Sequence, residues 1–314
     1  TVYYNYFVYQ QKYIFLDYNS TDGSRRTDPT LAGWNWKKQH QQDISYSGAE
    51  RVYPPLDKRW ALLVASSRGW NNYRHQADVL NIYQILKRNG YDDDHIVVIM
   101  EDDLAYNPNN PEPGVMYTRM DGINIYHDVQ IDYHVSQLNP HDILEILLGN
   151  ASDRLPQVIH SDADDNIFFF WSGHGAPGEM CWYDDKIGIT KSDLEKCLSQ
   201  MEASDKYRKL IGCFETCYSG GVAVAANDHK GMLFFTAANA SETSKADVYN
   251  YNWEIWMSNR FTATLQDCMV NTPSQSFAYL YNRLFQSTVG SHVCVFGHKG
   301  FGSLYESNLG EILQ

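Results

Sequence analysis

The chain has 314 residues, 43% of them hydrophobic and 14% aromatic, which is enough for one large core or two modest ones and argues against disorder. Its formal charge of −13 makes nucleic acid an unfavourable partner, and no apolar run is long enough to cross a membrane. The acidic balance is compatible with a compartment of low pH, where protonation relieves self-repulsion.

Residues 1–58 differ from the rest. The β-prone aromatic runs TVYYNYFVYQ and KYIFLDY precede a polar stretch, NSTDGSRRTDPT, and Pro54-Pro55 marks a boundary. An N-terminal extension over 1–58 and a single domain over 59–314 are expected.

From Trp60 onward, short apolar runs alternate with amphipathic helices. RWALLVAS reads as a buried strand. The helix after it carries Val79, Ile82, Tyr83 and Leu86 at i, i+3, i+4 and i+7 and is stopped at Gly90. HIVVIM (95–100) is a strand, PHDILEILLGN a short helix and NIFFFWS (166–172) a third strand. In TKSDLEKCLSQM, Thr190 and Asp193 form a capping-box start, and Leu194, Cys197, Leu198 and Met201 share one face. KLIGCFET, MLFFTAA (232–238) and HVCVFG (292–297) complete the strands. Two helices lie between the last two, the second with Phe277, Leu280, Tyr281 and Leu284 in register. The alternation implies a mostly parallel sheet of about six strands with helices on both faces. Ligands of such sheets gather beyond the carboxyl ends of the strands.

Two strand ends carry reactive groups there, FFFWSGHGAPG and CFETCYSGG. Each delivers a side chain, His174 or Cys217, into a glycine-flanked turn at the same sheet edge. A thiol is weakly ionised at neutral pH, and a histidine in reach can take its proton and later return it to a leaving amine. Gly173 and Gly175 let backbone N–H groups approach a substrate oxygen. The six cysteines, at 181, 197, 213, 217, 268 and 294, contain no Cys-x-x-Cys pair, and no His/Cys/Asp cluster has metal-ligand spacing. Sequons at Asn19, Asn150 and Asn239 permit a secretory route.

SGHG and ETCYSG resemble the His-Gly and Glu-x-Cys-x-Ser-Gly blocks of the legumain family of cysteine peptidases, the asparaginyl endopeptidases. Relatives of that family are the catalytic subunit of the glycosylphosphatidylinositol transamidase and, at fold level, the caspases. GWNNYRHQADVLNIYQILKRNG, HIVVIMEDDLAYNPNNPEPG, YRKLIGCFETC, FTAANASETS and GSHVCVFG match further blocks in order between about residues 60 and 297. The resemblance implies a caspase-like α/β fold, Cys217 as nucleophile, His174 as general acid–base, and the N–H groups of Gly175 and Cys217 as oxyanion donors. It also implies a specificity pocket of Arg74, His75, Glu215 and Ser244. A cation on one side and a carboxylate on the other suit the acceptor oxygen and donor hydrogens of a carboxamide.

Three positions depart from the family's pattern. Arg68 stands where legumains carry the asparagine that supports the histidine, and the transamidase subunit also has arginine there. Gly173 replaces an aspartate. The late pocket aspartate aligns with Ile255, leaving Glu254 or Asp247 as candidates. The implied activity is cleavage of peptides or proteins after Asn, and after Asp at acidic pH, without metal or cofactor. The implied location is lysosomal, vacuolar or secreted. Alternatives are a transamidase or ligase, in which an amine resolves the acyl-enzyme, and a non-catalytic peptide-binding homologue. Residues 1–58 are expected either to cover the cleft as the pro-segment of a zymogen or to form an additional structural strand pair.

Overall fold

The computed structural model of the chain describes residues 53–120, 122–183 and 186–314; the expected extension, apart from its last six residues, lies outside the described residues. β1 (Arg59–Ala65) is buried throughout and feeds α1 (Tyr73–Arg88), which ends two residues before Gly90 takes a left-handed φ of 92°. β2 (Ile96–Ile99), α2 (Pro140–Leu148) and β3 (Asn166–Ser172) follow. A small antiparallel sheet of β4 (Gly175–Ala176), β5 (Glu179–Trp182) and β6 (Lys186–Thr190) then leads into α3 (Lys191–Ala203). The second half holds β7 (Lys209–Glu215), α4 (Gly220–Ala223), β8 (Met232–Thr236) and the hairpin β9 (Ala246–Asn250)–β10 (Ile255–Asn259). α5 (Arg260–Asn271), α6 (Phe277–Ser287), β11 (Cys294–Phe296) and two single-turn helices complete it.

The main sheet has six strands in the order β11-β8-β7-β3-β1-β2, parallel except for β11. β3 lies inside it, and its apolar run is explained by burial on both faces. Phe168 and Phe170 join α1, α5 and α6 in one core, while Phe169 and Trp171 join α2 and α3 in the other. The expected capping box at the start of α3 is present, with Thr190 and Asp193 bonded reciprocally to each other's backbone. α2 has a second one, from Asn139 and Asp142, that was not anticipated.

The small sheet and the β9–β10 hairpin were not foreseen either. Their strands are two to five residues long and mix polar with apolar residues, so neither periodicity stands out.

Candidate active site

Register brings three strand ends level. Ala65 pairs with Ser172, and Ser172 pairs with Glu215. Beyond that edge the loop after β3 and the loop after β7 touch. Gly173 N–H donates to Glu215 C=O at 3.2 Å. A Cβ on Gly175 would lie 2.0 Å from the carbonyl oxygen of Cys217, so only glycine allows the approach. A Cβ on Gly173 would lie 2.0 Å from Ser66 Oγ, so a side chain there requires Ser66 to turn away from its bond with Trp171 Nε1.

Cys217 is half-buried, and its Sγ lies 3.9 Å from Ser244 Oγ. The chain turns sharply just after it: Tyr218 adopts φ 56°, and its N–H is held by Glu242 C=O at 2.8 Å. A left-handed φ on a bulky residue is strained, and it marks the sharp turn at the end of the β7 loop.

His174 Nε2 is 2.8 Å from Asn72 Oδ1. The Asn72 amide is oriented by its own Nδ2, which donates to Arg68 C=O at 2.8 Å. Oδ1 therefore faces the imidazole, and Nε2 is the protonated nitrogen of the neutral ring. The legumain pattern has this support at position 68, where the chain carries arginine. Arg68 instead lies over the Tyr183 ring, 4.9 Å from its centre, while Asn72 supplies the amide from the turn before α1. His75 packs edge-on against His174 with centroids 5.0 Å apart, and its Nδ1 lies 2.6 Å from Ser67 Oγ. Burial, Arg74 and His174 together hold His75 well below the ordinary histidine pKa. A cavity of about 300 Å³ opens beside His174, between Ser66–Arg68, Asn72 and Cys181–Tyr183.

Opposite the thiol stands a wall of buried charge. Glu215 Oε2 accepts from the Thr262 N–H at 3.1 Å and the Thr262 hydroxyl at 3.0 Å, while Oε1 is buried without a hydrogen bond. Burial raises its pKa to about 7 against the pull of Thr262, Ser244 and Arg74. Arg74 Nε donates to Asn259 Oδ1 at 3.1 Å, and Asn259 Nδ2 donates to Asp78 Oδ2 at 2.6 Å. Asp78 also accepts from Ser172 Oγ at 2.9 Å, and burial next to Glu215 pushes its pKa well above the carboxylate range. Burial lowers the pKa of Arg74, opposed by the fields of Asp78 and Glu215. The site thus joins the Arg74 guanidinium to two buried carboxyl groups whose charged forms are disfavoured by burial.

Cys217, His174, Gly175, Arg74, His75, Glu215 and Ser244 therefore meet around one edge. Glu254 does not join them: it stands exposed with φ 54° in the turn of the β9–β10 hairpin, and Ile255 is buried in the core. Asp247 lies on the far strand, 3.8 Å from Arg260. Asn259 is the hairpin residue that reaches Arg74. Sequence reading missed Asn72, Asp78, Asn259 and Thr262; of these, Asn72 and Asp78 lie inside the matched GWNNYRHQADVLNIYQILKRNG block, which was the signal to find them by. Among the described residues, no group of His, Cys, Asp and Glu is arranged to hold a metal ion.

The sequence pattern of the peptidase C13 family matches residues 59–309, beginning at the first residue of β1. The chain belongs to the peptidase C13 family. Legumain from Homo sapiens is 32% identical over 265 residues, 82% of this chain and 61% of that protein. The delta-isozyme of vacuolar-processing enzyme from Arabidopsis thaliana is 37% identical over 190 residues, 59% of this chain and 41% of that protein. The chain thus spans about three-fifths of the length of the legumain it matches. Among solved structures, caspase-1 from Spodoptera frugiperda superposes with a TM-score of 0.47 at 9% identity, covering 78% of this chain and 88% of that one. The C13 match includes both glycine-bound loops and the α1 and hairpin residues of the charged wall.

Proposed function

We propose that this C13 chain is a cysteine endopeptidase that cleaves polypeptides after asparagine through an acyl-enzyme on Cys217. The observation that carries the reading is the contact of two loops at one sheet edge, one bearing Cys217 and the other bearing His174 with Nε2 committed to Asn72. A neutral imidazole protonated on Nε2 offers Nδ1 as the base. Nδ1 takes the thiol proton, and the thiolate attacks the carbonyl carbon of the Asn residue. The N–H groups of Gly175 and Cys217 receive the oxyanion. As the C–N bond breaks, the proton on Nδ1 passes to the leaving amine. Water, deprotonated by Nδ1, then attacks the thioester, and the S–C bond breaks to regenerate the thiol.

The charged wall supports the choice of asparagine. The carboxamide oxygen accepts from Arg74, and its NH₂ donates to Glu215, whose Oε1 is buried and lacks a bond of its own. An aspartate side chain needs a protonated Glu215 beside it, a state that a pKa of about 7 supplies in acid. We infer a lysosomal, vacuolar or secreted setting, in keeping with the name of the vacuolar-processing relatives.

Reporter peptides identical except for Asn, Asp or Gln at the cleaved position test this at mildly acidic and neutral pH, with products identified by mass. Asn cleavage at both pH values, Asp cleavage that is faster in acid than at neutral pH, and neither in Cys217→Ala are expected. Cleavage that survives in the variant, or favours Gln, would overturn the reading. Capture of an added amine as the main product would assign transfer rather than hydrolysis.

A further inference from the structure

The face of α1 that presents Arg74 continues down the helix. Positions 74, 78, 81, 85 and 88 follow helical spacing along it. Beyond Asp78 this face opens onto a cavity of about 590 Å³, lined by Asn81, Ile85 and Arg88 of α1, Arg119 of the loop after β2, Arg260 of α5 and Arg283 of α6. Four of the chain's twelve arginines thus meet in one groove of a protein whose formal charge is −13.

The carboxylates at hand do not satisfy them. Arg260 donates from Nη1 to the Val289 carbonyl at 3.1 Å, whereas its Nε is buried without a hydrogen bond and the nearest carboxylate, Asp247, is at 3.8 Å. Arg283 is 3.7 Å from Asp267, also outside hydrogen-bonding range. Among the described residues, no carboxylate lies within ion-pairing distance of Arg88 or Arg119. A buried guanidinium donor without an acceptor is costly, and three more cations beside it raise the local potential.

We propose that this groove is an exosite for acidic segments of the polypeptide substrate, an inference that rests on the peptidase reading. The groove is larger than a single inorganic anion requires. Asp247 and Asp267 in its wall, and the net negative chain around it, oppose a dense polyanion. Carboxylates spaced along a peptide fit arginines that alternate with aspartates, and planar guanidinium groups bind carboxylates in pairs. The reach is right as well: at ~1.5 Å per residue, Asn81 and Arg88 lie about 10 and 21 Å along α1 from Arg74. An extended substrate at ~3.3 Å per residue covers that span in roughly three to six residues.

The test uses the double variant R88Q/R119Q, whose two side chains are exposed and stand apart from the catalytic residues. Anisotropy measures binding of a labelled Glu-Ser repeat peptide lacking Asn and Asp, with a Gln-Ser peptide as control. Asn reporters with Glu-rich or Gln-rich tails at either end are compared in parallel. The wild type should bind the Glu peptide and lose it as salt rises, and the variant should bind it about tenfold more weakly. At one end the Glu tail should lower KM about three- to tenfold in the wild type and not in the variant, with kcat on the short reporter unchanged. Equal binding of the two peptides, binding unchanged by the substitutions, or a preference for a sulfated polysaccharide would overturn the assignment. Glu-peptide binding without reporter cleavage would count against the peptidase reading alone.

Discussion

The loops that carry Cys217 and His174 hang from neighbouring parallel strands, whereas the wall that holds Arg74 is assembled from α1 and, 185 residues on, a hairpin that runs directly into α5. In the first region the backbone sets position: Ser172 pairs with Glu215, and glycine lets one loop rest on the other. In the second, side chains do so, through a chain of bonds from Arg74 to Asn259 to Asp78 to Ser172. A backbone-built site depends on few side chains and is lost abruptly when one of them fails. A side-chain-built wall carries buried charge, so its properties vary with pH. Under the proposed function, the catalytic edge governs rate, and the charged wall governs selectivity and acid dependence.

The largest effect that separates the two regions is expected at Asn72. Asn72→Ala frees the imidazole to rotate and exchange tautomers, and kcat should fall about 10- to 100-fold with KM little changed. Asn72→Asp keeps an acceptor facing Nε2 and should recover most of the rate. Its added charge should move the histidine limb of the pH–rate profile upward, a shift that a merely structural role would not produce. Equal kcat in wild type and Asn72→Ala would remove Asn72 from the catalytic edge.

A smaller effect is expected in the wall. The folded-state pKa of Glu215, about 7, lies above its ordinary value of 4.5, so the folded chain keeps a proton that the unfolded chain has released. That contribution to stability is fully present below about pH 4.5, declines as pH rises, and is gone above about pH 7. Glu215→Gln removes it while leaving an acceptor for Thr262. Melting curves should show the wild type losing roughly 5 °C relative to the variant between those limits. Parallel pH profiles would show that Glu215 titrates normally.

How much of this was legible follows from the same contrast. NIFFFWS and KLIGCFE announce themselves as strands because both faces are buried, and strand ends locate chemistry, so His174 and Cys217 stood out. The wall did not. Asp78 falls between Ala77 and Val79 on a helix and reads as a polar-face residue, although it is fully buried. Asn259 closes a strand that mixes buried and exposed positions, and its partner on α1 lies 185 residues away. Glu254 looked like a pocket carboxylate because it adjoins the aligned position, and the hairpin turn carries it into solvent instead. Buried polar contacts at such separations leave no period in the sequence.

The most direct measurement is covalent trapping. A short peptide ending in an Asn-derived electrophile, and its Gln counterpart, would be incubated with the protein, and the adduct located by intact mass and peptide mapping. One adduct per chain, on Cys217, formed much faster with Asn than with Gln and slowed in Asn72→Ala, is the predicted result. Labelling spread over the other cysteines, or equal rates for the two reagents, would contradict a Cys217 nucleophile served by an asparagine-reading wall.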